Sequence, residues 1–115
     1  MSELAEIHVR GEDRAPIIVI VGEIDISNVA IIREAIDASV PDAVVLVIDL
    51  SRTTFLDSAG IAMLLAIGDR LHTTRRELYV VIPEDAPIRR VTKLAGLDAQ
   101  VPVVASVDDV NPGVI

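Results

Sequence analysis

The sequence has no cysteine and no tryptophan, and Phe55 and Tyr79 are its only aromatic residues. Without cysteine, the chain forms no disulfide, carries out no thiol catalysis and binds no metal through thiolates. Because 51 % of the 115 residues are hydrophobic, the core must be built from Val, Ile, Leu and Ala. An aliphatic core of this kind is typical of a mixed or parallel sheet covered by helices.

Long apolar runs are also missing. The longest candidates, residues 17–21 and 44–48, are far shorter than the roughly 20 residues that span a bilayer. They are rich in β-branched residues and therefore predict buried strands. The first six residues lack the basic and apolar parts of a signal peptide. We therefore expect a cytoplasmic protein without membrane association.

Basic residues are scarce, since 10 Lys and Arg stand against 18 Asp and Glu, which gives a net charge of −8. An acidic surface repels phosphate backbones, so we expect no nucleic-acid binding. It favours a partner with a basic surface, or no charged partner at all. The sequence also has no Gly-rich phosphate loop and no clustered His and carboxylate residues, so we expect no cofactor and no metal.

The apolar pattern predicts one domain over residues 1–115, with the order β-β-α-β-α-β-α-β and a short C-terminal tail. Because strands and helices alternate after the opening pair, we expect an α/β fold with a mixed sheet of about five strands. Residues 51–57 are predicted to be a loop, and Pro112 and Gly113 shorten any helix in the tail. The predicted strands are 5–9, 17–21, 44–49, 78–82 and 101–104, and the predicted helices start at 29, 58 and 87.

The most informative segment is Phe55-Leu56-Asp57-Ser58-Ala59-Gly60, which leads into the second helix. We expect Ser58 to be the N-cap, with its hydroxyl accepting hydrogen bonds from first-turn amides. The partial positive charge of a helix N-terminus also favours a phosphate there, which would add about −1.5 to −2 charges. Spacing alone favours the plainer interpretation, in which Ser58 is only a cap.

The second helix has two different faces. The face predicted to pack on the sheet holds Ile61, Leu64, Leu65, Gly68 and Leu71. The opposite face holds Ala59, Ala62, Met63 and Ala66, with Arg70 below. Exposed faces normally carry Lys and Glu, so these small side chains and an adaptable Met predict contact with another protein. A second copy of the chain or its own tail would also cover such a face.

Three motifs follow one another along most of the chain. They are Gly22-Glu23-Ile24-Asp25, the 45–60 stretch with Asp49-Leu50-Ser51 and the Ser58 segment, and residues 88–98 from Ile88-Arg89-Arg90-Val91 to Leu94-Ala95-Gly96-Leu97-Asp98. In this order and spacing they resemble the STAS-domain anti-sigma-factor antagonists. The resemblance implies a STAS-type fold for the whole chain.

The resemblance also implies a mechanism in which Ser58 is phosphorylated. The kinase is the anti-sigma factor itself, a GHKL-type serine kinase, which binds the unphosphorylated antagonist and gives up its sigma factor. The phosphorylated form is released, and a PP2C-type phosphatase restores it. Glu23 and Asp25 lie beside the serine in the family fold and take part in the partner surface.

The partner surface predicted in this way contains Glu23, Asp25, Asp57, Ser58, Ala59, Gly60, Ala62, Met63 and Ala66. Two features depart from the family pattern. Ala59 stands where many members have a second Ser or Thr, and the tail is shorter than the usual fourth helix. We expect a monomer or a weak homodimer. The alternative function is a non-switching STAS subunit of a stressosome-like or lipid-transport assembly.

An enzymatic role is not expected. A serine nucleophile elbow needs Gly two residues before and after the serine, and Leu56 occupies the first of these positions. The only possible bases are His8 and His72, and His72 lies a helix length of roughly 20 Å from Ser58. A receiver domain with Asp49 as phosphoacceptor would need an acidic pair and a lysine, but the one lysine is Lys93.

Overall fold

The chain is a mixture of strands and helices that begins with two strands, as the apolar pattern predicts. The computed structural model describes residues 5–12 and 14–110. The strands are β1 (Ala5–Glu12), β2 (Ala15–Ile24), β3 (Val45–Asp49), β4 (Thr53–Leu56), β5 (Glu77–Val81) and β6 (Val103–Val104). The helices are α1 (Val29–Ala38), α2 (Ser58–Thr73), α3 (Arg89–Leu94) and α4 (Leu97–Gln100), followed by a 3₁₀ turn at Val107–Asp109. The predicted tail beyond Val110, with Pro112 and Gly113, lies outside the described residues.

The six strands form one mixed sheet in the order β1-β2-β3-β5-β6, with β4 beside β2. The opening pair β1 and β2 is antiparallel, with Val9 opposite Ile18. The pairs β2–β3, β3–β5 and β5–β6 are all parallel. The predicted mixed α/β sheet is thus confirmed, although it has one strand more than expected.

The additional strand is β4, in a segment that the sequence predicts to be a loop. It runs parallel to β2 with Glu23 opposite Phe55 and Ile24 opposite Leu56. β2 therefore pairs first with β3 and then, further along, with β4. The hydroxyl of Thr53, which is fully buried, donates a 2.8 Å hydrogen bond to the Ile20 carbonyl and anchors the start of β4. With only four residues, β4 is too short to show a strand period in the sequence.

The main core lies between one face of the sheet and the helices. Alternate residues of β2 point into it, since side chains alternate along a strand. They meet residues spaced by one helical turn in α1 and α2. The residues that form the centre of this cluster are Ile18, Ile20, Ile24, Ile32, Ile36, Leu64, Ile67 and Leu71. A smaller cluster of Val45, Val47, Val81 and Val110 lies on the other face of the sheet.

Gly96 ends the third helical segment as predicted. Its φ of +79° is left-handed, a conformation that glycine adopts without a side-chain clash. Leu97, which follows it, is fully buried in the main core.

Candidate functional site

The carboxyl ends of β2 and β4 lie side by side, because the two strands are parallel neighbours. The amide of Asp57 donates to the carbonyl of Ile24 across this boundary, at 3.3 Å. The loop that starts at Asp25 and the first turn of α2 are therefore adjacent. Two of the three motifs found in the sequence meet here.

The side chain of Asp57 holds these two segments together. One carboxylate oxygen, Oδ1, accepts hydrogen bonds from the amides of Ala59 (2.9 Å) and Gly60 (3.1 Å). The other, Oδ2, accepts one from the amide of Ile26 (3.1 Å). A single carboxylate thus caps α2 and fastens the β2–α1 loop to it.

The prediction that Ser58 is the N-cap is wrong, since Asp57 occupies that position. A carboxylate is a stronger acceptor than a hydroxyl, and its charge is favourable beside the positive end of the helix. Ser58 is instead the first helical residue, and its side chain is exposed. Among the described residues, no side-chain hydrogen bond involves its hydroxyl, so this group is presented to solvent.

The β2–α1 loop is held by its own hydrogen bonds. Asp25 Oδ1 accepts from the hydroxyl (2.5 Å) and the amide (2.9 Å) of Ser27. These bonds, that of the hydroxyl most of all, hold the pKa of Asp25 below its usual value.

Asn28 supports the loop from below and is only 1 % exposed. Its Oδ1 accepts from the amide of Asp25 (3.0 Å), and its Nδ2 donates to the carbonyl of Glu23 (2.8 Å). A buried amide with both ends bonded fixes the path of the chain on either side of it. This role of Asn28 was not predicted from the sequence.

The two faces of α2 are largely as predicted. Ile61, Leu64 and Leu71 are buried, whereas Ala62 and Ala66 are exposed and Ala59 is half-buried. Met63 is the exception, because it is 5 % exposed and belongs to the main core. Its prediction as a surface residue is wrong, since α1 packs beside α2 and widens the arc of the helix that is covered.

Gly60 is also buried, so it does not contribute to the surface that a partner could contact. A Cβ atom here would lie 2.3 Å from Leu56 Cδ1 and 3.0 Å from Ile24 Cγ2. The absence of a side chain lets the first turn of α2 approach the ends of β2 and β4 closely. Gly60 therefore positions Ser58 rather than adding to the surface around it.

Two exposed apolar side chains in these segments were not among the predicted partner residues. Ile26 is 76 % exposed and Phe55 is 47 % exposed. Ile26 stands in the loop that Asp57 holds, and Phe55 lies opposite Glu23, whose side chain is also exposed. The sequence does contain a sign that Ile26 is unusual. It stands between Asp25 and Ser27, in a turn where a polar residue is normal.

The charged residues of these segments have one sign. Residues 23–31 and 53–66 include Glu23, Asp25 and Asp57 but no Lys, Arg or His. The two segments therefore combine negative charge with exposed apolar side chains, and the exposed Arg52 directly precedes the second of them. Within the described residues, no three His, Cys, Asp or Glu side chains are placed to hold a metal ion. No helix in that part of the chain is long and apolar enough to cross a membrane.

The family of the chain follows from comparison with known proteins. The model of the STAS domain matches residues 6–110. The anti-sigma-F factor antagonist RsfB of Mycobacterium tuberculosis is 34 % identical over 94 residues, which are 81 % of this chain and 75 % of RsfB. The chain belongs to the family of STAS-domain anti-sigma-factor antagonists. The resemblance carried by the three motifs is thereby confirmed.

Solved structures of this family agree with the fold. A crystal structure of an anti-sigma factor antagonist from Mycobacterium paratuberculosis is 34 % identical, with a TM-score of 0.81 over 91 % of this chain and 89 % of the other. The anti-sigma factor antagonist SpoIIAA in its unphosphorylated form is 20 % identical, with a TM-score of 0.73 over 90 % of this chain and 91 % of SpoIIAA. The second likeness shows the STAS fold alone.

Proposed function

We propose that this chain is an anti-sigma-factor antagonist that phosphorylation of Ser58 switches off. The unphosphorylated form binds an anti-sigma factor, which then releases its sigma factor. That anti-sigma factor is a GHKL-type serine kinase, and a PP2C-type phosphatase reverses the modification. The chain acts as one STAS domain, binds without catalysing a reaction, and works in the cytoplasm.

The observation that carries this proposal is the exposed hydroxyl of Ser58 at the first position of α2. Because Asp57 bonds the amides of Ala59 and Gly60, the serine hydroxyl is not needed as a cap. A kinase would reach this hydroxyl without opening the fold. The relatives support the function itself, since RsfB and the Mycobacterium paratuberculosis protein are both antagonists of anti-sigma factors.

The same geometry explains why a phosphate would act as a switch. The two amides best placed to bind a phosphate are already bonded to Asp57, so a phosphoryl group would gain less from the helix terminus than at an uncapped helix. It would also stand next to the Asp57 carboxylate. The dianion would therefore stay in water, and a partner that covered it would have to remove that water at a high energetic cost.

The test uses the full chain, its cognate anti-sigma factor and ATP. Mass spectrometry is expected to find one phosphate, on Ser58, and none in Ser58→Ala. Ser58→Ala is expected to bind as the unphosphorylated chain does, and Ser58→Asp to bind at least about tenfold more weakly. Thr73→Asp, which adds the same charge at the other end of α2, is the control and should bind normally. Tight binding by Ser58→Asp would contradict the switch.

A further inference from the structure

We propose that the outer edge of β1 pairs with the same edge of a second copy of this chain, so that two sheets join into one. The two strands run antiparallel around a two-fold axis at His8. Glu6 then lies opposite Arg10 of the second copy, and Ile7 lies opposite Val9 of that copy. This inference goes beyond the proposed function and does not depend on the phosphorylation switch.

β1 is an edge strand that is paired on one side. It lies at the end of the sheet, and β2 is the only strand that it pairs with in the described part of the chain. An edge strand of this length, eight residues, presents a row of backbone N–H and C=O groups to which another strand can bond. β6, at the other end of the sheet, has only two residues and offers no comparable row.

The hydrogen bonds of β2 show which backbone groups of β1 face outwards. The amide of Gly22 (3.1 Å) and the carbonyl of Ile20 (2.8 Å) both bond to residues 52–53, on the side of β2 away from β1. Because bonding alternates between the two edges of a strand, the odd-numbered residues of β2 bond to β1. Their partners in that ladder are Glu6, His8 and Arg10. The backbone groups of Ile7 and Val9 therefore point to the outer edge of β1.

The side chains of β1 lie on two faces, and each face is complementary to itself. Ile7 packs against the main core on the helix side of the sheet, and Val9, which follows on the same face, is 55 % exposed. Glu6, His8 and Arg10 lie on the opposite face, where His8 Nε2 is 3.2 Å from Glu6 Oε1. With the axis at His8, apolar residues oppose apolar residues and Glu6 opposes Arg10. Each pair occurs twice, because a two-fold interface repeats every contact.

Charge favours this register and a second copy as the occupant. Edge strands often carry charges that keep other strands away, because like charges directly opposite each other destabilise a sheet. Here the charges attract when the axis lies at His8, and moving the axis by one residue either way removes both Glu6–Arg10 pairs. Arg10 is available for this pair, since its side chain is 60 % exposed and its contact with Asp49 is 3.9 Å long.

The experiment measures self-association of the full chain by sedimentation equilibrium. A contact between two single strands is small, so we expect a weak dimer with a dissociation constant of about 10 to 100 μM. Glu6→Arg and Arg10→Glu should each weaken it at least about tenfold, since like charges then oppose each other twice. Arg90→Glu makes the same charge change as Arg10→Glu at an exposed position of α3. This control should associate as the wild type does.

A mixture of the two β1 variants is the sharper test. The two arginines of the Glu6→Arg chain then oppose the two glutamates of the Arg10→Glu chain, so the mixture should form a heterodimer although neither variant associates with itself. This recovery also shows that both variants are folded. Val9→Pro removes an N–H that faces outwards and leaves the ladder with β2 intact, so it should abolish the dimer. Its thermal melt should match that of the wild type.

A wild-type chain that stays monomeric up to about 1 mM would overturn the proposal. A dimer that is as strong in Glu6→Arg as in the wild type would place the interface elsewhere and overturn it too. If the wild type is monomeric and Val9→Pro weakens binding of the anti-sigma factor, the edge receives a strand of another protein instead. Because β2 lies between β1 and β4, we expect all these variants to bind the anti-sigma factor normally. Failure of the proposed function would leave the dimer unaffected, so the two failures are distinguishable.

Discussion

The two ends of α2 are fastened to the molecule by different kinds of contact. At the C-terminal end, Arg70 Nη1 donates to Asp37 Oδ1 (3.1 Å), and Arg33 Nε donates to the same oxygen (3.2 Å). At the N-terminal end, the Asp57 carboxylate accepts from three backbone amides. The first end uses pairs of charged side chains, and the second uses one side chain with the main chain.

This difference leaves side chains free at the N-terminal end of α2, where we propose that the partner binds. At the C-terminal end, the paired charges of Arg33, Arg70 and Asp37 partly cancel one another at the surface. Where a half-buried carboxylate satisfies backbone amides, the neighbouring side chains take no part in holding the fold. Ile26, Ser58 and Ala62 are therefore all exposed around the N-terminal end. We expect changes at this end to alter binding, and changes at the other end to alter only stability.

The largest effect is expected for Asp57→Ala, which removes the cap and the bond to the loop together. Loss of the cap should lower the free energy of unfolding by about 2 kcal/mol, at the upper end for N-caps. Affinity for the anti-sigma factor should fall as well, because the Ile26 loop is released. Urea denaturation measures the first effect. Asp57→Asn keeps an acceptor oxygen and should recover most of the stability. An unchanged unfolding midpoint in Asp57→Ala would contradict the role of this carboxylate.

Ala62→Glu should lower affinity by about 30-fold or more while it leaves stability nearly unchanged. Ala62 is exposed on α2, so a larger side chain fits in the free chain but prevents the close approach of a partner. Isothermal titration calorimetry with the anti-sigma factor measures the change. Ala38→Glu, the same substitution at the exposed end of α1, is the matched control. Equal affinities for both variants would mean that this face of α2 does not touch the partner.

Asp37→Ala breaks the contacts at the C-terminal end and should have a smaller effect, on stability only. Asp37 and Arg70 are 40 % and 53 % exposed, and ion pairs in water contribute little. We expect a loss of about 0.5 to 1 kcal/mol in the free energy of unfolding, reduced further by salt. Affinity for the anti-sigma factor should not change. A clear drop in affinity would contradict this expectation and would mean that the partner also contacts the C-terminal end of α2.

Ser27→Ala should have the smallest effect, visible as a change in the pKa of Asp25. The Ser27 hydroxyl is the largest cause of the lowered pKa, so its removal should raise the pKa towards the ordinary value of about 3.9. The Asp25 carboxyl binds a proton less tightly in the folded chain than in the unfolded chain. Its contribution to the free energy of unfolding is therefore complete above the ordinary pKa. It is lost as the pH falls through the lowered pKa. NMR titration of the Asp25 carboxyl carbon measures its pKa in the wild type and in Ser27→Ala. Identical curves would show that the Ser27 hydroxyl does not lower this pKa.

Much of the fold could be predicted from the sequence because its apolar pattern is strong. The β-branched runs of β2 and β3 and the spacing of Leu64 and Leu71 each reflect burial directly. The end of the third helical segment at Gly96 could also be predicted, because it depends only on local backbone conformation. Such features need no knowledge of which segments meet in space.

The details of the site could not be predicted in this way, because they depend on the pairing of β2 with β4. Ser58 and Asp57 are both good N-caps, and Asp57 in addition accepts a third hydrogen bond, from the amide of Ile26 on a distant segment. Met63 is buried because α1 lies beside α2, which helical spacing alone does not reveal. The exposed Ile26 is a similar case, since only the folded loop shows where its side chain points.

The short strand β4 has a consequence for how a kinase recognises its substrate. Many kinases bind a flexible peptide in extended form, but residues 53–57 are paired with β2 and anchored by the Thr53 hydroxyl in the core. Pulling this stretch into a cleft would require breaking the centre of the domain. A kinase that modifies Ser58, as we propose, would therefore have to dock on the intact three-dimensional shape, and a synthetic peptide of residues 50–65 should be a very poor substrate even though it contains the same serine.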